Sequence, residues 1–148
     1  APHIRDQHFR MAELAEDWMA RYPSIQMVLD VHRDSLETDD GAQLALRADV
    51  DGEACAKLLL VMGSNGSGLE HPGWWQNLAN AAHLQALCEQ RAPGLMRDLL
   101  LRASRYNQHL TPRSMLLEVG TAGNSLEEAL RSADVFSRAL ADCLLGKA

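Results

Sequence analysis

Apolar residues recur at helical spacing from Arg5 to Arg21, where Phe9, Leu14, Trp18 and Met19 stand with small Ala12 and Ala15 between them, so an amphipathic helix is expected. Tyr22-Pro23-Ser24 stops it. The pattern then becomes a nearly continuous apolar run from Ile25 to His32, as in a strand of a sheet covered on both faces. After a polar loop over 36–42, the strand-like runs Gln43 to Asp49 and Glu53 to Met62 flank Asp51-Gly52, a hairpin signal. Gly63 to Gly68 reads as a flexible loop leading to an Ala/Leu-rich helix from Trp74 to Arg91, which Pro93-Gly94 ends. Leu95 to Ala103 and Ser114 to Val119 are further candidate strands. Asn124 or Ser125 caps a last helix running toward Leu145, with Glu127 or Glu128 closing a capping box.

Strands alternating with helices predict an α/β fold, a mixed and mostly parallel sheet flanked by helices. A chain of 148 residues fits one domain over 1–148 with a single core. No apolar run approaches the ~18 to 20 residues that a membrane span requires. The formal charge of −6, with arginines scattered rather than clustered, argues against a nucleic-acid partner. Cys55, Cys88 and Cys143 are odd in number and widely spaced, which suits small buried residues better than disulfides or a CxxC zinc site. The opening APHIRDQHFR lacks the apolar core of a signal peptide, so any export signal is expected upstream of it.

Two positions break the apolar pattern with chemistry. Period-two alternation puts Val28, Asp30 and His32 on one face of their strand, with His32 at its C-terminal end, the edge where open α/β sheets bind ligands. A lone histidine there is readily a satisfied structural residue, but Arg33-Asp34 beside it crowds polar groups that need a ligand or a network. Glu118 interrupts Met115-Leu116-Leu117-Glu118-Val119. A buried carboxylate left without a partner costs about 3 to 5 kcal/mol, so Glu118 calls either for Arg33 or Arg105 as an ion-pair partner or for a role as a general base beside a metal. His71 in its loop reaches a pocket lip or stands in solvent. Arg105-Tyr106-Asn107-Gln108 sets four hydrogen-bonding side chains in a row, suited to a substrate carboxylate or amide, or to tying a loop together. The glycine-rich stretch lacks the Lys-Ser/Thr of a phosphate loop, and neither HExxH nor GxSxG occurs.

Tyr22-Pro23-Ser24-Ile25, Leu29-Asp30-Val31-His32-Arg33-Asp34, His71-Pro72-Gly73-Trp74 with Asn77-Leu78, Pro93-Gly94-Leu95, Arg105 through Leu110, and Leu117-Glu118-Val119-Gly120 with Asn124 through Ala129 form an ordered set. It resembles the stage II sporulation protein P family across almost the whole chain. The resemblance implies a zinc-dependent N-acetylmuramoyl-L-alanine amidase, which cuts peptidoglycan at the amide joining muramic acid to the L-alanine of the stem peptide. Endopeptidase action on cross-links is also ascribed to the family. His32 is then a zinc ligand and Glu118 the carboxylate that assists the attacking water. His71, Arg105 and Asn107 line the substrate groove, and Asp30 or Asp34 orients His32.

The same resemblance implies a place in spore engulfment, beside a lytic transglycosylase and a membrane anchor, and an extracytoplasmic, membrane-associated or secreted location. In the family a further His and Glu ligand come from an upstream segment, whereas a catalytic zinc takes three protein ligands. Weak or absent zinc binding and little hydrolysis are therefore expected of residues 1–148 alone. A sheet lacking a strand there exposes an edge that invites a homo-oligomer. The competing reading is a non-catalytic peptidoglycan-binding or scaffolding module of the same fold.

Overall fold

A computed structural model describes residues 2–147 and, from Arg10 onward, their side chains. Helix α1 (Pro2–Arg21) precedes strand β1 (Leu29–Asp34). Strands β2 (Arg47–Val50), β3 (Glu53–Ala56) and β4 (Leu58–Gly63) follow, then helix α2 (Trp74–Arg91), strand β5 (Leu100–Arg102), strand β6 (Met115–Thr121) and helix α3 (Leu126–Leu144). Four strands make one sheet in the order β1-β6-β4-β5. The β1–β6 and β4–β5 pairings are parallel and β4–β6 is antiparallel, so the mixed, mostly parallel α/β sheet expected from the sequence is present.

Period-two alternation divides this sheet between two faces. Leu58, Leu60, Met62, Met115, Leu117 and Val119 face the core that Ala81, Leu84 and Cys88 of α2 complete with Ala129, Phe136 and Ala139 of α3. Leu59, Val61 and Leu116 point to the other face, where Leu100 and Tyr106 pack on them. Both helices therefore lie on one side, and the opposite face is covered only in part. Helix α1 is helical as foreseen, but its described side chains add nothing to that core. Met11, Leu14 and Trp18 are exposed, and Trp18 stacks on Tyr22 at 5.3 Å between ring centroids.

The two residues Asp51 and Gly52, both at positive φ, turn the expected hairpin between β2 and β3. The single strand expected over Glu53 to Met62 is instead broken at Lys57. Its N–H donates to Leu46 and its carbonyl accepts from Gly120, so β3 stays with β2 and β4 enters the main sheet. Gly120 (φ 73) permits this crossing, because a Cβ there would stand 2.7 Å from that of Ala56. The strand expected over Leu95 to Ala103 shortens to three residues plus one bridge between Met96 and Leu58.

Strand β1 also departs from expectation. It begins at Leu29 rather than Ile25, pairs with β6 on one side only, and leaves Val31, His32 and Arg33 exposed, so it is not covered on both faces. Strand β1 is one of the two edges of this sheet, and β5 is the other. Charged residues on the outer half of β1 blunt strand-to-strand association. Ser125 caps α3 by accepting from the Glu128 N–H while the Glu128 carboxylate accepts from the Ser125 N–H, the reciprocal box read from the sequence. Cys55 and Cys88 are buried free thiols as expected, and burial pushes the Cys88 thiol up to about 11.

Candidate functional site

The parallel register of β1 on β6 sets Asp30 beside Leu116 and His32 beside Glu118, on the face that the helices leave open. Between His32 and Asp34 the register slips by one residue, because β6 advances from Glu118 to Thr121 while β1 advances by two. Gly120 absorbs the extra residue. Bulges of this kind re-aim side chains at strand ends. Here the bulge leaves Asp34 to meet Arg97, whose Nη1 donates to Asp34 Oδ2 at 2.6 Å. Met96 bridges to Leu58 in the lane of β5, so this ion pair joins the two outer lanes of the sheet.

His32 Nε2 lies 2.7 Å from Asp30 Oδ1, which holds the ring and leaves Nδ1 as the nitrogen that Asp30 does not engage. Of the two carboxylates expected to orient His32, Asp30 makes the contact and Asp34 is committed to Arg97. Glu118 Oε2 is buried and has no hydrogen-bond partner. Burial pushes the Glu118 carboxyl above the usual range and the nearby Asp34 charge adds to this, while His32 and Arg97 oppose it. The ion-pair partners foreseen for Glu118 are occupied elsewhere. Arg33 donates to the carbonyls of Thr121 and Asn124, and Arg105 donates to the carbonyl of Glu70. The carboxylate is therefore an unsatisfied group on an accessible sheet face, the state in which a side chain is free to handle a proton.

His71, Arg105 and Asn107 gather at the other end of the sheet. Antiparallel pairing places Leu59 beside Glu118 and Val61 beside Leu116, so Gly63 stands four residues, about 13 Å, along β6 from Glu118. Gly63 packs under the 104–105 backbone, where a Cβ would meet the Ser104 carbonyl at 2.5 Å. His71 is 2% exposed with Nε2 unpartnered, and burial lowers its pKa, helped by His109 and Arg105. Tyr106 and Asn107 are both held at positive φ, an uncommon and strained conformation for side chains of this size. Tyr106 packs on Val61 and Leu116, on the same sheet face as Glu118.

Part of this segment is architecture. Gln108 accepts from the Gly63 N–H and donates to the Val61 carbonyl, both at 2.8 Å, extending the end of β4. Asn77 Nδ2 donates to the carbonyls of Gln108, Thr111 and Ser114. Arg97 is a site residue that the sequence reading did not single out. Its signal resembled that of Glu118, a charge inside the largely apolar run from Leu95 to Leu101.

A catalytic zinc needs three protein ligands and an open position. His32 and Glu118 are donors of the right kind, but among the described residues no group of three or more His, Cys, Asp or Glu side chains is arranged to hold a metal ion. These residues alone therefore fit zinc in kind and fall short of it in number.

The Stage II sporulation protein P (SpoIIP) family profile matches residues 4–141. The chain belongs to this family. It is also 33% identical over 133 residues to "Stage II sporulation protein P" of Bacillus subtilis (strain 168), an alignment that covers 84% of this chain and 31% of that protein. The chain thus spans about a third of the length of this curated relative. No solved structure matches it. Among the described residues, no helix of this family member is long and apolar enough to cross a membrane.

Proposed function

We propose that this chain carries the proton-handling part of a zinc-dependent N-acetylmuramoyl-L-alanine amidase that acts on peptidoglycan during sporulation. The observation that carries the reading is Glu118. It is a carboxylate with an orphaned oxygen, set beside His32 by strand register, in a chain of this family. Zinc, if bound, would polarise the scissile carbonyl and lower the pKa of water toward ~7, and His32 is the residue of this chain that would help to hold it. Asp30 fixes the His32 ring in one orientation. With zinc bound, the Glu118 carboxylate would accept the proton of the attacking water and return it to the leaving nitrogen. Its raised pKa suits both steps, because a base closer to neutrality gives the proton back more readily.

His71, Arg105 and Asn107 are assigned to the substrate groove, toward the opposite end of the sheet from Glu118. Such a separation suits a polymer rather than a small molecule. An extracytoplasmic location, and work beside a lytic transglycosylase and a membrane anchor, go with this reading.

The test measures release of new L-alanine amino termini from purified peptidoglycan, with zinc supplied, by the longest natural protein containing this chain. Glu118→Gln should lower the rate by about 10² to 10⁴ while the circular dichroism spectrum stays unchanged. Undiminished hydrolysis by that variant would exclude Glu118 as the base. A second reading is a wall-binding or scaffolding module of the same fold without catalysis. Binding without cleavage by the zinc-supplied natural protein would select it.

A further inference from the structure

A groove of about 720 Å³ lies where the segments leading into β1 and β6 meet the first turns of α2, away from His32 and Glu118. Gln26, Trp75, Gln76, Asn80 and Arg113 line it. The core takes Asn77, Ala81, Leu84 and Cys88 from α2, which leaves Trp75 on the outer side, 58% exposed as a residue. A large flat aromatic surface is open to water here without any packing reason.

The groups around that surface are mostly uncharged. Arg113 Nη1 donates to Gln26 Oε1 at 3.1 Å and Asn80 Nδ2 donates to the Pro112 carbonyl at 2.9 Å, which fixes two amide heads at the rim. The Gln26 amide nitrogen, the Asn80 amide oxygen and the Gln76 amide make no hydrogen bond within the described protein, so donors and acceptors remain available side by side. One aromatic plate ringed by planar amides is the chemistry that recognises a pyranose. The C–H face of the sugar packs on the indole while the amides bridge neighbouring hydroxyl or N-acetyl groups. A nucleic acid would need more than one cation at the groove. Ile25, Leu110 and Pro112 also line the groove, but Trp75 is the only large apolar side chain of its lining that is exposed, which falls short of the contiguous apolar patch a protein partner would call for.

We propose that this groove is a glycan subsite. It holds an N-acetylated amino-sugar unit of a polysaccharide strand by stacking on Trp75 and by hydrogen bonds to Gln26, Gln76 and Asn80, with Arg113 meeting the lactyl carboxylate of a muramic acid already stripped of its stem peptide. The identification of the strand as cell-wall glycan rests on the function proposed above. Arg113 precedes Glu118 by five residues in the lane of β6, about 16 Å, so the sugar held here is not the one whose amide is cut. The groove acts on capture of the polymer.

The experiment titrates the protein with two probes free of stem peptide, an N-acetylglucosamine tetrasaccharide and the N-acetylglucosamine–N-acetylmuramic acid disaccharide. The readout is the indole N–H resonance of Trp75, identified among the three tryptophans with the Trp75→Phe variant. Saturable shifts of that resonance are expected, with affinity falling at least tenfold in Trp75→Ala and less in Trp75→Phe, while Trp18→Ala binds as the wild type does. Arg113→Gln should weaken the muramic acid probe and spare the tetrasaccharide. Absence of saturable binding by either probe, or unchanged affinity in a folded Trp75→Ala variant, overturns the proposal. Sugar binding without wall hydrolysis leaves this subsite standing and removes the amidase reading. Hydrolysis without sugar binding does the reverse.

Discussion

If Glu118 is kept for chemistry, removing its charge should make the protein more stable. Glu118→Gln keeps the shape of the side chain and removes a carboxylate whose Oε2 is buried without a partner and whose charge Asp34 disfavours. The glutamine amide is left as unmet as the carboxyl, so the difference is the cost of the desolvated charge alone, which partial exposure keeps to about 1 kcal/mol. A gain of about 1 kcal/mol corresponds to about 2 to 4 °C in Tm for a chain of this size. The pH dependence fixes the cause. Because the folded-state pKa of Glu118 lies above the ordinary value of 4.5, the wild type loses stability as pH rises from that value through the folded pKa, and the glutamine variant does not. Thermal unfolding of both proteins with a chelator present should give coincident Tm values at about pH 4 and below, and a higher Tm for the variant near neutrality. A variant that is less stable at neutral pH, or equally displaced at every pH, would mean that Glu118 has a stabilising partner and is held for structure.

Three further outcomes follow from the same contacts. Arg97→Ala leaves the part-buried Asp34 without its partner beside Glu118, and chemical denaturation should show a loss of about 1.5 to 3 kcal/mol, the range for a hydrogen bond to a charged group. Asn77→Ala strips three carbonyls of the segment leading into β6 of their common donor and should cost about 2 to 4 kcal/mol, with hydrogen exchange accelerated first in the 108–114 segment. Hydrogen bonds from Arg47 and then Asn124 hold the Glu128 carboxyl at about 2, below its ordinary 4.5. Its contribution is therefore complete above pH 4.5 and lost as pH falls toward 2, and Arg47→Ala should move the midpoint of acid unfolding, followed by circular dichroism, to higher pH.

The sequence revealed those features that depend on neighbours along the chain. Alternation placed Asp30 and His32 together, Asp51-Gly52 marked its turn, and the spacing of Ser125 to Glu128 marked a helix start, because each depends on three or four consecutive residues. Glu118 was visible as a charge in an apolar run. The Asp34–Arg97 pair was not, since it joins residues 63 positions apart across the sheet and depends on a bulge at Gly120 that no local pattern announces. The run from Glu53 to Met62 looked like one strand because Lys57 breaks neither the alternation nor the propensity. The break lies in which partner each half finds. Arg105-Tyr106-Asn107-Gln108 divided in a way that composition could not show, with Gln108 completing β4 while Tyr106 covers the open face.

That open face explains how the fold tolerates an unsatisfied carboxylate. Leu117 and Glu118 are neighbours in β6, yet Leu117 is 2% exposed against the helices and Glu118 lies on the side where little packs. Leu117→Ala should cost about 2 to 5 kcal/mol through the cavity it leaves, while a change one residue later touches no helix contact. Stability is concentrated on one side of the sheet and reactive groups on the other, with β6 contributing to both through its alternation. A one-residue slip of β1 against β6 would part His32 from Glu118 and turn one of them into the core. The apolar side of β6 thus enforces the register on which the pairing of His32 with Glu118 depends.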